Sequence, residues 1–288
     1  RLCFGESDGL PGLVADKYGE YLCLQVLSAG MESRLEELRE ALLRLLEPKG
    51  ILLRNDHPSR ALEGLAGESR TLHGEIPHRV QISRDGLKFQ VDLQGQKTGF
   101  YFDQCDTRAF LAPAFKGRTV LDLYCFTGAF SLAAARHGAL RVLGLDSSEA
   151  AVGLARENAR LNGHAACEFD AADAAQVLES FAGGEQKIAP DFILLDPPSF
   201  VPSKKNLPSA LRAYVKLNAS ALRCLKSGGL LASSTCSHHV SRQDFLSMLR
   251  AAAAKAGRTC RILAVRGQAQ DHPMLLAMPE TEYLHFAL

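Results

Sequence analysis

Thr119-Val120-Leu121-Asp122-Leu123-Tyr124-Cys125-Phe126-Thr127-Gly128-Ala129-Phe130-Ser131 is the stretch that decides the fold. Its first five residues read as a buried strand, and a helical pattern over 129–137 begins directly after Gly128. Downstream the same alternation continues. Strands are expected over 141–146, 191–195 and 229–234, and helices over 148–162, 207–225 and 241–256. Strands alternating with helices imply a mainly parallel, doubly wound α/β sheet of Rossmann-like type. Such sheets bind ligands beyond the carboxyl ends of their strands, so chemistry-bearing residues are sought just after each strand.

Upstream the rhythm differs. Ser7-Asp8-Gly9-Leu10-Pro11-Gly12 is a glycine-rich opening. Two apolar runs at 13–15 and 21–27 flank a turn at Tyr18-Gly19-Glu20 and read as a strand pair. Leu35, Leu38, Leu42 and Leu45 recur at helical spacing, which predicts one amphipathic helix over 31–46, stopped by Pro48-Lys49-Gly50. Residues 51–54 read as another strand. Asp85-Gly86 between alternating apolar runs predicts a β-hairpin over 79–93. Two domains follow: a smaller α/β domain over 1–95 and a catalytic sheet domain over 96–288.

Composition limits the function classes. The 288 residues carry a net charge of +1, so any nucleic-acid contact must rest on a local basic patch. None of the eight cysteines forms a C-x-x-C pair or zinc-finger spacing, and no metal site is expected. Scattered thiols with no visible secretory leader read as a reduced, cytoplasmic protein, and no apolar run is long enough for a transmembrane helix.

Acids stand at successive strand ends. Asp122 closes the first strand and Asp146, followed by Ser147, closes the second, where a carboxylate can accept both hydrogen bonds of a ribose diol. A dinucleotide loop needs G-x-G-x-x-G with amides facing a pyrophosphate. This loop has only Gly128, and Asp122 would repel a phosphate. An acidic loop suits S-adenosylmethionine, which has no phosphate and carries a sulfonium and an ammonium. The competing structural reading makes Asp122 and Asp146 plain helix caps. Asp170 and Asp173 follow a third short strand, and either could accept from the adenine amino group.

The fourth strand ends Asp196-Pro197-Pro198-Ser199-Phe200, where two prolines fix a rigid turn beside the cofactor mouth. The fifth runs into Ser233-Ser234-Thr235-Cys236-Ser237-His238-His239. A thiol there, near Asp196, suggests covalent catalysis. Carbon 5 of cytosine is a poor nucleophile, and a thiolate adding to carbon 6 makes it enamine-like. Asp196 is placed to bond the nitrogen 3 and amino edge, and His238 or His239 could lower the thiol pKa. The plainer reading of Cys236, as of the other seven cysteines, is a small buried hydrophobe.

Taken in order, these segments resemble the bacterial large-subunit ribosomal RNA cytosine-C5 methyltransferases, which are built as a PUA domain, a middle α/β domain and a methyltransferase domain. The similarity covers nearly the whole chain. It includes the middle-domain run Asp8 to Gly19, the entry Gln96-Lys97-Thr98-Gly99-Phe100-Tyr101-Phe102-Asp103-Gln104, residues 122–131, Asp146-Ser147, residues 196–200, residues 234–237 and the tail over 271–284. The resemblance implies S-adenosylmethionine as cofactor, held by Asp122, Tyr124, Phe126, Thr127, Gly128, Asp146, Ser147, Asp173, Asp196 and Pro197, with Phe102 and Gln104 in a segment packed over it. It makes Asp173, rather than Asp170, the adenine contact, and Cys236 and Asp196 the catalytic pair. It implies 23S ribosomal RNA as partner. Two departures stand out. The PUA module has no counterpart in these residues, and Cys105 replaces the family's usual arginine.

Two other readings keep the pocket. One is methylation of a base nitrogen, in which Asp196 matters and Cys236 does not. The other is a non-catalytic RNA-binding assembly factor. Lys204, Lys205, Arg212 and Lys216 are candidate RNA contacts or an ordinary solvated helix face. The residues do not set the oligomeric state, and a homodimer stands among the candidates.

Overall fold

A computed structural model describes residues 1–95, 99–164, 167–182, 188–201 and 203–288. The chain divides into two compact units, Arg1–Cys105 with Ala269–Thr281, and Asp106–Gln268 with Glu282–Leu288. The first unit thus continues past residue 95, where the sequence pattern places the junction, and takes back a segment from near the C-terminus. Gln96, Lys97 and Thr98, which open the entry motif, lie outside the described residues.

In the first unit β1 (Cys3–Phe4), β2 (Leu13–Tyr18) and β3 (Tyr21–Val26) form an antiparallel run. Helices α1 (Ala29–Glu32) and α2 (Leu35–Leu46) then lead to β4 (Gly50–Asn55), which pairs parallel with β3, and β5 (Glu68–Gly74) closes the edge antiparallel. The single helix expected over 31–46 is therefore two, parted at Ser33 and Arg34. Ser28 caps α1 through its side chain, which accepts from the Met31 N–H, and α2 starts afresh with Glu36 and Glu37 in its first turn. Leu38, Leu42 and Leu46 on α2 pack against buried Leu22, Leu24, Ile51 and Leu53 of the sheet. Strand β5 carries no clear sequence signal, because it is an edge strand with mostly exposed polar side chains. The hairpin forms as β6 (Val80–Arg84) and β7 (Leu87–Val91). Asp85 and Gly86 both take left-handed φ, 54° and 72°, as a type I′ turn requires.

The second unit opens with α3 (Cys105–Leu111) and builds β8 (Thr119–Leu123), α4 (Ala129–Arg136), β9 (Arg141–Asp146), α5 (Glu149–Leu161), β10 (Cys167–Ala171) and α6 (Ala174–Ala182). It continues with β11 (Phe192–Leu195), α7 (Leu207–Cys224), β12 (Leu230–Thr235), α8 (Arg242–Ala256), β13 (Val265–Arg266) and β14 (His285–Ala287). The seven strands lie in the order β10-β9-β8-β11-β12-β14-β13. All pairings are parallel as far as β12, and β14 runs antiparallel between β12 and β13. The order reverses between β8 and β11, and a ligand crevice opens at such a reversal. Helices cover both faces. Leu121, Leu123, Leu143 and Leu145 meet Leu178, Phe181, Leu217 and Ala221 on one side, and Val120, Val142, Phe192 and Leu194 meet Leu111, Phe115, Ala133 and Ala134 on the other. Burial on both faces explains why β11 is apolar at every position.

Gly144, inside β9, permits one close contact. A Cβ there would lie 2.6 Å from a ring carbon of Phe169 and 3.0 Å from Ser131 Oγ. Gly144→Ala should lower the unfolding free energy by about 1–3 kcal/mol, the usual cost of overpacking a core. Urea unfolding of the two proteins measures it, and an unchanged midpoint would show that the Phe169 ring gives way freely.

Candidate active site

The cofactor loop is held by its own backbone geometry. Tyr124, Phe126 and Gly128 all take left-handed φ, at 64°, 51° and 83°. Left-handed φ at two non-glycine residues in one loop is costly and needs outside support. Asp146 supplies it, since Oδ2 accepts from the Phe126 N–H at 2.9 Å and Oδ1 accepts from the Ser148 N–H at 2.9 Å. The Cys125 N–H bonds the Leu145 carbonyl at 2.9 Å, and Asn158 on α5 donates to the Thr127 carbonyl at 3.1 Å. Each Asp146 oxygen keeps a further lone pair that a ribose diol can use. Gly128 cannot carry a side chain cheaply, because a Cβ would meet Phe169 and Ala155 at 3.1–3.2 Å.

Asp122 is buried, and its carboxylate accepts from Ser131 Oγ at 2.6 Å. Burial pushes its carboxyl up to about 7, the Ser131 bond opposes the rise, and the charges of Asp196 and Asp146 add to it. Asp173 is exposed, and its Oδ1 accepts from the Gln176 N–H at 2.9 Å as a cap of α6. Burial and then the charges of Asp173, Tyr214 and Asp146 raise the Tyr124 phenol to about 12. Thr127 and Pro197 are buried, Phe126 is half-buried, and Ser147 is exposed. Phe102 and Gln104 belong to the first unit. There Phe102 is buried with its ring 5.2 Å from both Tyr18 and Phe100, and Gln104 is buried as well.

At the reaction end, β11 and β12 pair with Leu195 opposite Ser233. This register sets Asp196 beside Ser234, whose Oγ donates to Asp196 Oδ1, and half-buried Cys236 lies two residues beyond. Tyr214 on α7 ties these strand ends together. Its hydroxyl accepts from Thr235 Oγ1 at 3.0 Å and from the Phe200 N–H at 3.2 Å, and donates to the Pro198 carbonyl at 3.4 Å. Its ring stacks on Phe200 at 4.6 Å. Sequence reading misses Tyr214, Asn158 and Ser131 as site residues. Tyr214 and Asn158 act from helices, where the only linear signal is a polar atom on an otherwise apolar face. His238 is exposed, with its ring 5.1 Å from that of Tyr283. Among the other thiols, burial pushes Cys23 and Cys167 to about 12, Cys224 to about 11 and Cys125 well above its ordinary range, so these four stay protonated near neutral pH.

Residues 49–258 match the family described as S-adenosylmethionine-dependent methyltransferase. Over 288 residues the chain is 39% identical to the ribosomal RNA large subunit methyltransferase I of Aeromonas salmonicida, covering 99% of this chain and 72% of that protein. It is 38% identical to the protein of the same name from Yersinia pseudotuberculosis, with the same coverage. A putative S-adenosylmethionine-dependent methyltransferase from Streptococcus mutans superposes with a TM-score of 0.84 at 23% identity, over 99% of this chain and 72% of that one, a likeness of fold. The chain belongs to the S-adenosylmethionine-dependent methyltransferases, in the family of the ribosomal RNA large subunit methyltransferases I. The donor set fits that cofactor. Carboxylates of Asp122, Asp146, Asp173 and Asp196 stand at or just past the ends of four neighbouring strands, which suits a cationic nucleoside and opposes a phosphorylated one.

Two expectations follow from this geometry. The folded Asp122 carboxyl titrates at about 7, above its ordinary 3.8. Its contribution to stability is therefore complete below about pH 4 and is lost as pH rises through 7. A cationic cofactor favours the ionised form. S-adenosylmethionine should accordingly bind more tightly at pH 8 than at pH 6, with a proton released, and Asp122→Asn should flatten this dependence. Calorimetry in two buffers of different ionisation enthalpy counts the proton, and a pH-independent affinity in the parent would refute the coupling. Tyr214→Phe keeps the stack and loses the hydroxyl bonds. It should lower kcat about tenfold, equivalent to ~1.4 kcal/mol, with cofactor affinity unchanged. Steady-state kinetics beside a cofactor titration separates the two.

Proposed function

We propose that this methyltransferase modifies carbon 5 of a cytosine in large-subunit (23S) ribosomal RNA, with Cys236 as the covalent nucleophile and Asp196 as the group that holds the pyrimidine edge. The observation that carries the reading is the pairing of β11 with β12, which puts a carboxylate and a thiol at adjacent strand ends beside the crevice. The ribosomal RNA substrate is supported by the names of relatives 38–39% identical over nearly the whole chain. Asp122, Asp146 and Asp173 hold the cofactor with the 124–128 loop.

S-adenosylmethionine supplies an electrophilic methyl group on its sulfonium. The chain's own residues must make carbon 5 able to take it. Cys236, as the thiolate, forms a bond from Sγ to carbon 6, and the electron pair of the 5,6 double bond moves toward nitrogen 3. Asp196, with Oδ1 anchored by Ser234, turns its other oxygen to the nitrogen 3 and amino edge; carrying a proton there, it gives that proton to nitrogen 3 as the charge collects and takes it back when the ring is restored. Carbon 5 is then enamine-like. Once methylated, it loses its proton to a base, the Sγ–carbon 6 bond breaks, and the thiolate leaves with its electron pair, restoring the ring. Ser234, Thr235 and Tyr214 fix the distance between the two working groups.

A trap tests the mechanism. Ribosomal RNA carrying 5-fluorocytosine cannot lose its carbon-5 substituent as a proton, so elimination stalls. The parent chain with cofactor should give a covalent protein–RNA band on a denaturing gel, and Cys236→Ala should give none. Methyl transfer to ordinary RNA that survives in Cys236→Ala would remove the thiol from the mechanism and favour methylation at a base nitrogen.

A further inference from the structure

Between Asp196 and Asp244 the sequence contains no aspartate or glutamate, although 32 of the 288 residues are acidic. Those 47 residues carry seven lysines and arginines. They run from the proline turn directly after Asp196 through the end of β12 and Cys236, so the bias has a location in the fold.

The cations divide by position along α7. Toward its C-terminal end, Lys216 pairs with Glu179 and Lys226 pairs with Asp191 at 3.8 Å. Arg223 donates to the Lys255 carbonyl at 2.8 Å. At the other end Lys204 and Lys205 sit on the short turn Lys204–Asn206, and Arg212 lies on the following part of α7. All three are exposed, and among the described residues none has an ion pair. Cations ahead of a helix N-terminus oppose its dipole, and the first turn of α7 has no acid to relieve them. These charges therefore do not serve the stability of the fold.

Their location gives them another role. Helix α7 follows β11 and its Tyr214 reaches back to Phe200 and Pro198 just past the strand end, so its N-terminal end lies on the crevice side of the sheet. The Phe200–Tyr214 stack anchors the Asp196 loop to α7 two residues beyond Arg212. We propose that Lys204, Lys205 and Arg212 form a phosphate track that holds the RNA backbone next to the target nucleotide. The surface rests on RNA being the substrate, as proposed above, and not on which atom of the base is methylated. Phosphate contacts of this kind fix position without reading sequence. They also explain how a chain with a net charge of +1 engages a polyanion.

The test is equilibrium binding of a labelled large-subunit ribosomal RNA transcript at several salt concentrations. The full chain is compared with a Lys204→Glu/Lys205→Glu/Arg212→Glu variant and with an Arg250→Glu/Lys255→Glu control on α8. Single-stranded contacts contribute about 0.7 each to the slope of log affinity against log salt, so the triple variant should lose about two from that slope. Its Kd at low salt should rise more than tenfold, with the control within about threefold of the parent. Cofactor affinity reports that the variants are folded. Parent-like RNA binding by the triple variant overturns the track, as does an equal loss in the control. A parent chain that binds no RNA would bring down the RNA-substrate reading as well, and methylation at another base atom would leave the track standing.

Discussion

The second unit depends on one strand. β8 pairs in parallel with β9 on one side and β11 on the other, and the sheet's order reverses around it. Because helices leave neighbouring strands on opposite faces at that point, the carboxyl ends of β8 and β11 cannot both be covered, and a crevice remains. Asp122, Asp146, Asp173 and Asp196 stand at or just past the ends of β8, β9, β10 and β11. The strand is held by burial on both faces, with Leu121 and Leu123 directed to one side and Val120 to the other. Asp122 is carried on the same face as Val120, which is why an acid ends up in an apolar interior with Ser131 as its hydrogen-bond donor.

That burial has an electrostatic consequence. A carboxyl raised to about 7 by burial ionises more readily beside a cation, as any group with a desolvated charged form does. Asp146 has the opposite character. Two backbone N–H groups point at its carboxylate, and it in turn holds the strained loop over 124–128. The loop between the two acids owes its shape to the second.

The reaction end is organised differently, through a phenol. The Tyr214 hydroxyl joins the proline turn after β11 to the end of β12, and its ring fixes Phe200. The two strand ends are thereby set at one separation. The chain from Pro197 to Gln243 carries no acid, so the same segment that follows Asp196 also presents Lys204, Lys205 and Arg212 without ion pairs among the described residues.

Much of this protein is legible in its sequence. The alternation of strands and helices, the acids at strand ends, Asp85-Gly86 at its hairpin turn and the doubly wound class all follow from periodicity and local backbone preference, which are properties of neighbours in the chain. The sequence also limits the loop after β8 to a ligand without phosphate, because one glycine and an acid cannot cradle a pyrophosphate. What tertiary structure alone decides are the relations between segments far apart. The parting of α1 from α2, the addition of β5, and the placing of β14 between β12 and β13 carry no local pattern strong enough to read. The same holds for the site. Asn158 reaches Thr127 across 31 positions and Tyr214 reaches Thr235 across 21, and such contacts exist only after the sheet has set its register. Local propensity can name the residues at each strand end, but only the packed sheet determines which of them meet.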